Sequence, residues 1–190
     1  MSGSSRQEQR VFLALDPPAE VCSEAEAWAR HIARSTAGLR VVPARNSHIT
    51  LAFLGDRDGH EIEAIADAAS EAVNPVEGTG PVGGLSLGAP AWLPKRRPRT
   101  LVLDIHDDRG ELARLQSRLA QVLRDLIGFK EGRPYRPHLT CARIGRGFDP
   151  LGLRLPVSPS IAFEAVSVTL YASRLSPEGA EYEVIERFDQ

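Results

Sequence analysis

His48-Ile49-Thr50-Leu51 and Arg136-Pro137-His138-Leu139-Thr140-Cys141-Ala142-Arg143 carry one pattern twice, each copy inside a short apolar run that reads as a β-strand. Successive side chains of a strand point to opposite faces, so His48 and Thr50 share one face while Ile49 and Leu51 take the other. The second copy sorts its side chains in the same way. Two imidazoles, each with a hydroxyl beside it, suit a site that gives one proton and takes another near neutral pH.

The duplication extends outward from the motifs. His138 follows His48 by 90 positions (138 − 48), and the apolar run at Leu101 follows the run at Val11 by the same 90 (101 − 11). Each half therefore reads strand, helix, His strand, which predicts two similar lobes about an approximate twofold axis with both histidines in the groove between them. The halves diverge after the motif. A helix follows the first copy, whereas a long loop and a hairpin follow the second, so the two histidines are expected to meet different surroundings.

The intervening elements follow from local signals. Val11 to Leu15 is a compact apolar run, and Asp16-Pro17 reads as a capping carboxylate followed by a proline in the first helical turn. Val21, Ala25, Trp28 and Ile32 recur at helical spacing to about Ser35, with Gly38 placed to end the helix. Asp58 with Glu61 has the form of a capping box ahead of Ile62, Ile65, Ala69 and Val73. Asp108 with Glu111 repeats that spacing ahead of Leu112, Leu115, Leu119, Val122 and Leu126. Residues 74 to 84 and 145 to 159 are rich in Gly and Pro and read as connections. Leu85 and Leu87 suggest a short strand, and the prolines at 90, 94 and 98 a loop. Phe163 to Tyr171 and Tyr182 to Phe188 read as a closing hairpin through Ser176-Pro177-Glu178-Gly179. Met1 to Gln9 is polar and reads as a flexible tail, leaving residues 10–190 as one bilobal domain.

Composition narrows the function. The chain has 190 residues, is 42% hydrophobic and has a net charge of −2, which describes a globular protein with no global basic field for nucleic acid or anionic membrane. Any phosphate binding must then be local. No stretch is long and apolar enough to span a bilayer, and Met1 to Gln9 lacks a signal core, so the chain is read as cytoplasmic; a monomer is expected. The two cysteines, Cys22 and Cys141, fall on a helix and a buried strand and read as free thiols. No Asp, Glu or Cys forms a ligand spacing with the histidines, so neither metal nor cofactor is expected. His31, His60 and His106 lack the duplicated context and read as ordinary packed or solvated residues. Trp28 and Trp92 read as packing, and Lys95 to Arg99 as a solvated loop face.

Cleavage of a phosphodiester without metal is a chemistry open to such a pair. Opening a phosphodiester needs a base for the attacking oxygen and an acid for the departing one, tasks two imidazoles can divide. Thr50 and Thr140 supply hydroxyls to phosphate oxygens, and the Arg143 guanidinium suits bidentate phosphate binding. Arg143 lies three residues past Thr140, on the wrong strand parity for the groove unless the strand twists or ends near Ala142.

The paired motifs, with Arg143 completing His-Leu-Thr-Cys-Ala-Arg, resemble the doubled His-x-Thr-x signature of the 2H phosphoesterase superfamily. Within it the chain is most similar to the RNA 2',3'-cyclic phosphodiesterases first described as 2'-5' RNA ligases. Arg10 to Leu15, Arg136-Pro137-His138 and Leu170-Tyr171-Ala172-Ser173 extend the likeness over nearly the whole chain. The resemblance implies an α+β fold of two pseudo-symmetric lobes, each an antiparallel sheet backed by helices, with the central groove carrying both motifs. It implies hydrolysis of a 2',3'-cyclic phosphate on RNA or a nucleotide to a 2'-phosphomonoester without metal, and a weak reversible joining of ends through a 2'-5' linkage. By motif, His48 protonates the departing 3'-oxygen and His138 activates water. An aromatic residue of the first strand stacks on the base in such proteins, and Phe12 or Leu13 stands there. The competing expectation is a non-catalytic RNA-end or nucleotide-binding protein on the same scaffold.

Overall fold

A computed structural model describes residues 8–73, 81–145, 147–150, 152–176 and 179–189. The tail residues 1–7, most of the first connection and the tip of the last hairpin lie outside the described residues. The elements in chain order are β1 (Gln9–Asp16), α1 (Ala19–Arg34), β2 (Leu39–Val41), β3 (Ile49–Arg57), α2 (Gly59–Val73) and β4 (Leu85–Leu93). They continue with β5 (Thr100–Asp107), α3 (Glu111–Ile127), β6 (His138–Ile144), β7 (Ala162–Phe163), β8 (Ser167–Ser176) and β9 (Gly179–Asp189). The strands form one antiparallel sheet in the order β7-β4-β5-β6-β3-β1-β8-β9, with β2 added against β6.

Two four-stranded halves meet in the middle of that order. Their seam is a single paired position between β3 and β6, Ile49 opposite Leu139. These are equivalent residues of the two motifs, so the approximate twofold passes through this pair. Both are fully buried. The helices tie the halves together: α1 from the first packs on β2 and β6, and α3 from the second packs behind β3 as well as β5. One apolar cluster results, with Leu13, Leu15, Ile49 and Leu51 on one side of the seam and Leu101, Leu103 and Leu139 on the other. Burying a leucine or isoleucine side chain in this way contributes roughly 1.5–3 kcal/mol.

Local signals were decisive where the partners are close in sequence. The Asp58/Glu61 box forms in full, with Glu61 N–H donating to Asp58 Oδ1 at 3.0 Å and Asp58 N–H to Glu61 Oε2 at 3.2 Å. Gly128, in the left-handed region at φ 67°, ends α3, and its N–H donates to the Arg124 carbonyl at 3.0 Å.

Three expectations are corrected. Asp16 does not cap α1: the helix starts at Ala19 after Pro18, because the second proline disfavours helical backbone at Pro17. The Asp108/Glu111 box is replaced by Asp107, whose Oδ2 accepts from Ala113 N–H at 2.9 Å, while Glu111 Oε2 accepts from Gly83 N–H at 2.8 Å. The strand at Leu85 runs on through Pro90 to Leu93. Proline is tolerated there because β7 pairs with β4 only at Leu85 and Ser86, leaving one side of Pro90 free of a ladder. Among the described residues no helix is long and apolar enough to cross a membrane.

Candidate active site

Both histidines line one groove of about 550 Å3, together with Thr50, Thr140, Phe12 and Arg143. Every residue selected from the sequence as a site residue is therefore on its wall. Strand pairing explains how. Thr50 stands opposite Ala14 and Thr140 opposite Val102, so each hydroxyl projects from the groove face of its half.

Arg143 reaches the groove through a β-bulge. On β5, Val102 pairs with Thr140 and the next residue, Leu101, pairs with Ala142, which leaves Cys141 as an extra residue without a partner on that strand. One extra residue inverts the alternation, so Arg143 comes opposite Thr100 on the same face as Thr140. The first motif does the same: Ala14 pairs with Thr50, Leu13 with Ala52 and Phe12 with Phe53, with Leu51 as the extra residue. The fourth residue of each motif is thus a bulge. Both bulged side chains are buried, at 1% exposure for Leu51 and 2% for Cys141. Phe53 (53 + 90 = 143) is the counterpart of Arg143 and is likewise turned out of the core, at 67% exposure.

The registers also refine the internal repeat. Ala14 and Val102 occupy equivalent places, an offset of 88 (102 − 14), whereas the His strands keep 90. Phe12 then corresponds to Thr100. The even difference preserves side-chain parity, which is why the offset read from the apolar runs still placed the faces correctly.

The two imidazoles are oriented alike. His48 Nδ1 lies 3.0 Å from the carbonyl of Asn46, and His138 Nδ1 lies 2.8 Å from the carbonyl of Arg136. A carbonyl only accepts, so each Nδ1 carries its proton and donates. Each Nε2 is left for the groove, a lone-pair base when the ring is neutral and a proton donor when it is charged. Asn46 is held by its own side chain, whose Nδ2 donates to the Ala180 carbonyl at 3.0 Å. Arg136 is held by a two-pronged ion pair to Asp104 at 3.0 and 2.8 Å.

Their surroundings differ. The His48 ring packs 4.8 Å from Phe12 and meets Tyr182 edge-on at 5.1 Å. Burial, with smaller opposing help from the Asn46 carbonyl and Asp16, lowers its pKa from 6.5 to about 4, and Arg143 and His138 push the same way. His48 is therefore neutral near pH 7 in the free protein. No aromatic ring contact involves His138 among the described residues.

Phe12 rather than Leu13 is the first-strand residue on this face. Leu13 is wholly buried in the core. Phe12 is itself only 3% exposed, because it also packs on Tyr171 at 5.3 Å and Tyr182 at 5.1 Å. Asp16 anchors this cluster from behind by accepting from Tyr171 Oη at 2.9 Å, Thr169 Oγ1 at 2.6 Å and Ser167 Oγ at 2.8 Å.

Sequence reasoning missed Tyr182, Asn46, Thr100, Arg10 and Arg40 on the groove wall. Tyr182 arrives from the far end of the chain, and Arg40 arrives because β2 pairs with β6, placing it opposite Arg143. Among the described residues the lining, with Arg10, carries three arginines and no carboxylate, a local positive patch on an acidic chain. Among the described residues no three His, Cys, Asp or Glu side chains gather as a metal-ligating group. The two thiols lie off the groove, and burial raises them to about 11 for Cys22 and about 12 for Cys141.

The profile of the 2'-5' RNA ligase superfamily matches residues 17–150, which spans α1, both His strands and α3. The chain belongs to the 2'-5' RNA ligase superfamily. Relatives in this family include the RNA 2',3'-cyclic phosphodiesterase of Methanocaldococcus jannaschii, 28% identical over 94% of this chain and 99% of that protein. The protein of the same name from Bacillus subtilis is 30% identical over 74% of this chain and 75% of its own length. The fold is that of the crystal structure of Escherichia coli LigT complexed with 3'-AMP, with a TM-score of 0.75 over 96% of this chain and 98% of that one at 24% identity.

Proposed function

We propose that this chain hydrolyses the 2',3'-cyclic phosphate of an RNA end or nucleotide to a 2'-phosphomonoester by histidine acid–base chemistry, without a metal. One observation carries the reading: two imidazole Nε2 atoms open into a single groove walled by Arg10, Arg40 and Arg143 and, among the described residues, by no carboxylate. The arginines hold the phosphate anion, and Thr50 and Thr140 donate to its oxygens. His138 Nε2 takes a proton from water as the oxygen attacks phosphorus. The bond from phosphorus to the 3'-oxygen breaks, and His48 Nε2 delivers a proton to that oxygen. Tyr182, half-buried with Phe12 beneath it, is the ring on which the base packs.

Relatives named RNA 2',3'-cyclic phosphodiesterase support the reaction class, and E. coli LigT, which shares the fold, has been solved with 3'-AMP and with phosphate. The test is incubation with a nucleoside 2',3'-cyclic phosphate in EDTA. A 2'-phosphate product is expected, and His48→Ala or His138→Ala should each lower the rate by about 10²–10⁴. No product from the unaltered protein, or undiminished rates in both variants, overturns the proposal.

A further inference from the structure

Asp16 ends β1 opposite Ser167, the first residue of β8, and does not line the groove. Its two oxygens accept from three hydroxyls, those of Tyr171, Thr169 and Ser167. An amide at this place would offer one acceptor oxygen to three donors, whereas a carboxylate accepts at both of its oxygens. Ser167 and Thr169 are fully buried, so their hydroxyls depend on such an acceptor. Tyr171 carries the contact further. Asp16 fixes its hydroxyl, and its ring stacks on Phe12 at 5.3 Å and lies 6.2 Å from the His48 ring. One side chain therefore spans the distance from the carboxylate to the aromatic wall of His48.

We infer that Asp16 is a positioning residue for the acid: it holds Tyr171 and Phe12 against the His48 ring, and its negative charge behind that wall favours the imidazolium that donates to the 3'-oxygen. The inference rests on the phosphodiesterase reading above.

The charges around the ring show what Asp16 opposes. On the groove wall His48 faces Arg10, Arg40, Arg143 and His138, with Tyr171 and Tyr182 beside it. Burial works against a proton on the ring, Arg143 and His138 add to it, and Asp16 acts in its favour. The Tyr171 hydroxyl, pushed up to about 12 by burial and by Asp16, stays neutral. Around Asp16 itself, Arg45, Arg187 and Cys22 line a hollow of about 310 Å3, and the Cys22 thiol, raised to about 11 by burial and by Asp16, is neutral as well. At an effective dielectric of about 20, a carboxylate on the order of 10 Å from an imidazole shifts its titration by about one unit.

The experiment follows hydrolysis of a nucleoside 2',3'-cyclic phosphate in EDTA across about pH 5 to 9, where kcat falls on the alkaline side as His48 loses its proton in the complex. Asp16→Asn should move that alkaline limb down by about one pH unit, lowering kcat above the limb about tenfold and acting on kcat more than on KM. Thr169→Val removes one of the same anchoring bonds and no charge, so it should lower the urea midpoint and leave the limb in place. Arg187→Gln, an exposed change on β9 that takes a cation from beside the carboxylate, should raise the limb by roughly a few tenths of a pH unit. An unmoved limb in Asp16→Asn, or an equal shift in Thr169→Val, overturns this inference and leaves the phosphodiesterase reading standing. Should Asp16→Asn fail to fold, a limb that does not rise in Arg187→Gln overturns it instead. Absence of product from the unaltered protein overturns the phosphodiesterase reading and this inference with it.

Discussion

Binding of an anionic product should make His48 take up a proton, and the size of the effect follows from its surroundings. Burial holds the ring at about 4 instead of 6.5. That gap of about 2.5 units corresponds to roughly 3 kcal/mol against the imidazolium, and it leaves about one molecule in a thousand protonated near pH 7. A group so seldom charged is a poor acid until something restores its proton. A phosphate charge about 4 Å away, at an effective dielectric of about 20, contributes about 4 kcal/mol, or some three units. The His48 pKa then returns to about 7. On the proposed mechanism, a bound cyclic phosphate thus charges the acid that expels its own 3'-oxygen, while solvent protons are kept off the ring when the groove is empty. Two measurements check this. Imidazole resonances, assigned with His48→Gln, should show His48 titrating well below 6.5 in the free protein and about three units higher with a nucleoside 2'-phosphate bound. Calorimetry near pH 6 in buffers of different ionisation enthalpy should record uptake of about one proton per site, lost in His48→Gln. A free-protein value at or above 6.5, or binding without uptake, refutes the reasoning.

The same shift has a consequence for stability. A histidine whose folded pKa is lowered binds protons more readily when unfolded, so its contribution is fully present above about pH 6.5 and is lost as pH falls toward about 4. Urea denaturation should show stability falling by up to roughly 3 kcal/mol across that window, and His48→Gln should flatten the fall. Arg143→Ala should raise KM for a cyclic nucleotide about tenfold or more, through loss of a charge-assisted contact of roughly 1.5–3 kcal/mol. Leu139→Ala empties one side of the buried pair at the seam and should cost about 2–5 kcal/mol in the same denaturation assay.

What was legible in the sequence was whatever is decided within a few residues. Alternation placed His48 with Thr50 and His138 with Thr140, and the Asp58/Glu61 box is a contact across three positions. The rest depends on which strand lies alongside. A bulge is a mismatch of two strands, so no pattern within His138 to Arg143 announces that Cys141 is the residue left over. The parity that set Arg143 against the groove was a correct reading of an unbulged strand. Asp16 looked like a helix cap because its real partners, Ser167, Thr169 and Tyr171, stand more than 150 positions away on β8. Arg40 and Tyr182 were invisible for the same reason: their places come from β2 against β6 and from β9 at the sheet edge.

On the proposed mechanism, a duplicated frame lets one motif supply both an acid and a base. The bond from Nδ1 to the carbonyl two residues upstream is common to both copies, and it fixes the same tautomer and the same outward Nε2. Nothing in that frame distinguishes donor from acceptor. The distinction enters where the surroundings differ in chemistry: Phe12 against Thr100, Arg143 against Phe53, and Tyr182 edge-on to His48. An aromatic wall on one side desolvates His48, while a threonine at the equivalent place leaves His138 without that wall. The Arg143 guanidinium and the exposed Phe53 ring stand at equivalent places on the groove wall. On the proposed mechanism, the polarity of the site is therefore set by residues outside the His-x-Thr motifs, and exchanging Phe12 with Thr100 should disturb the direction of proton transfer while leaving every motif residue in place.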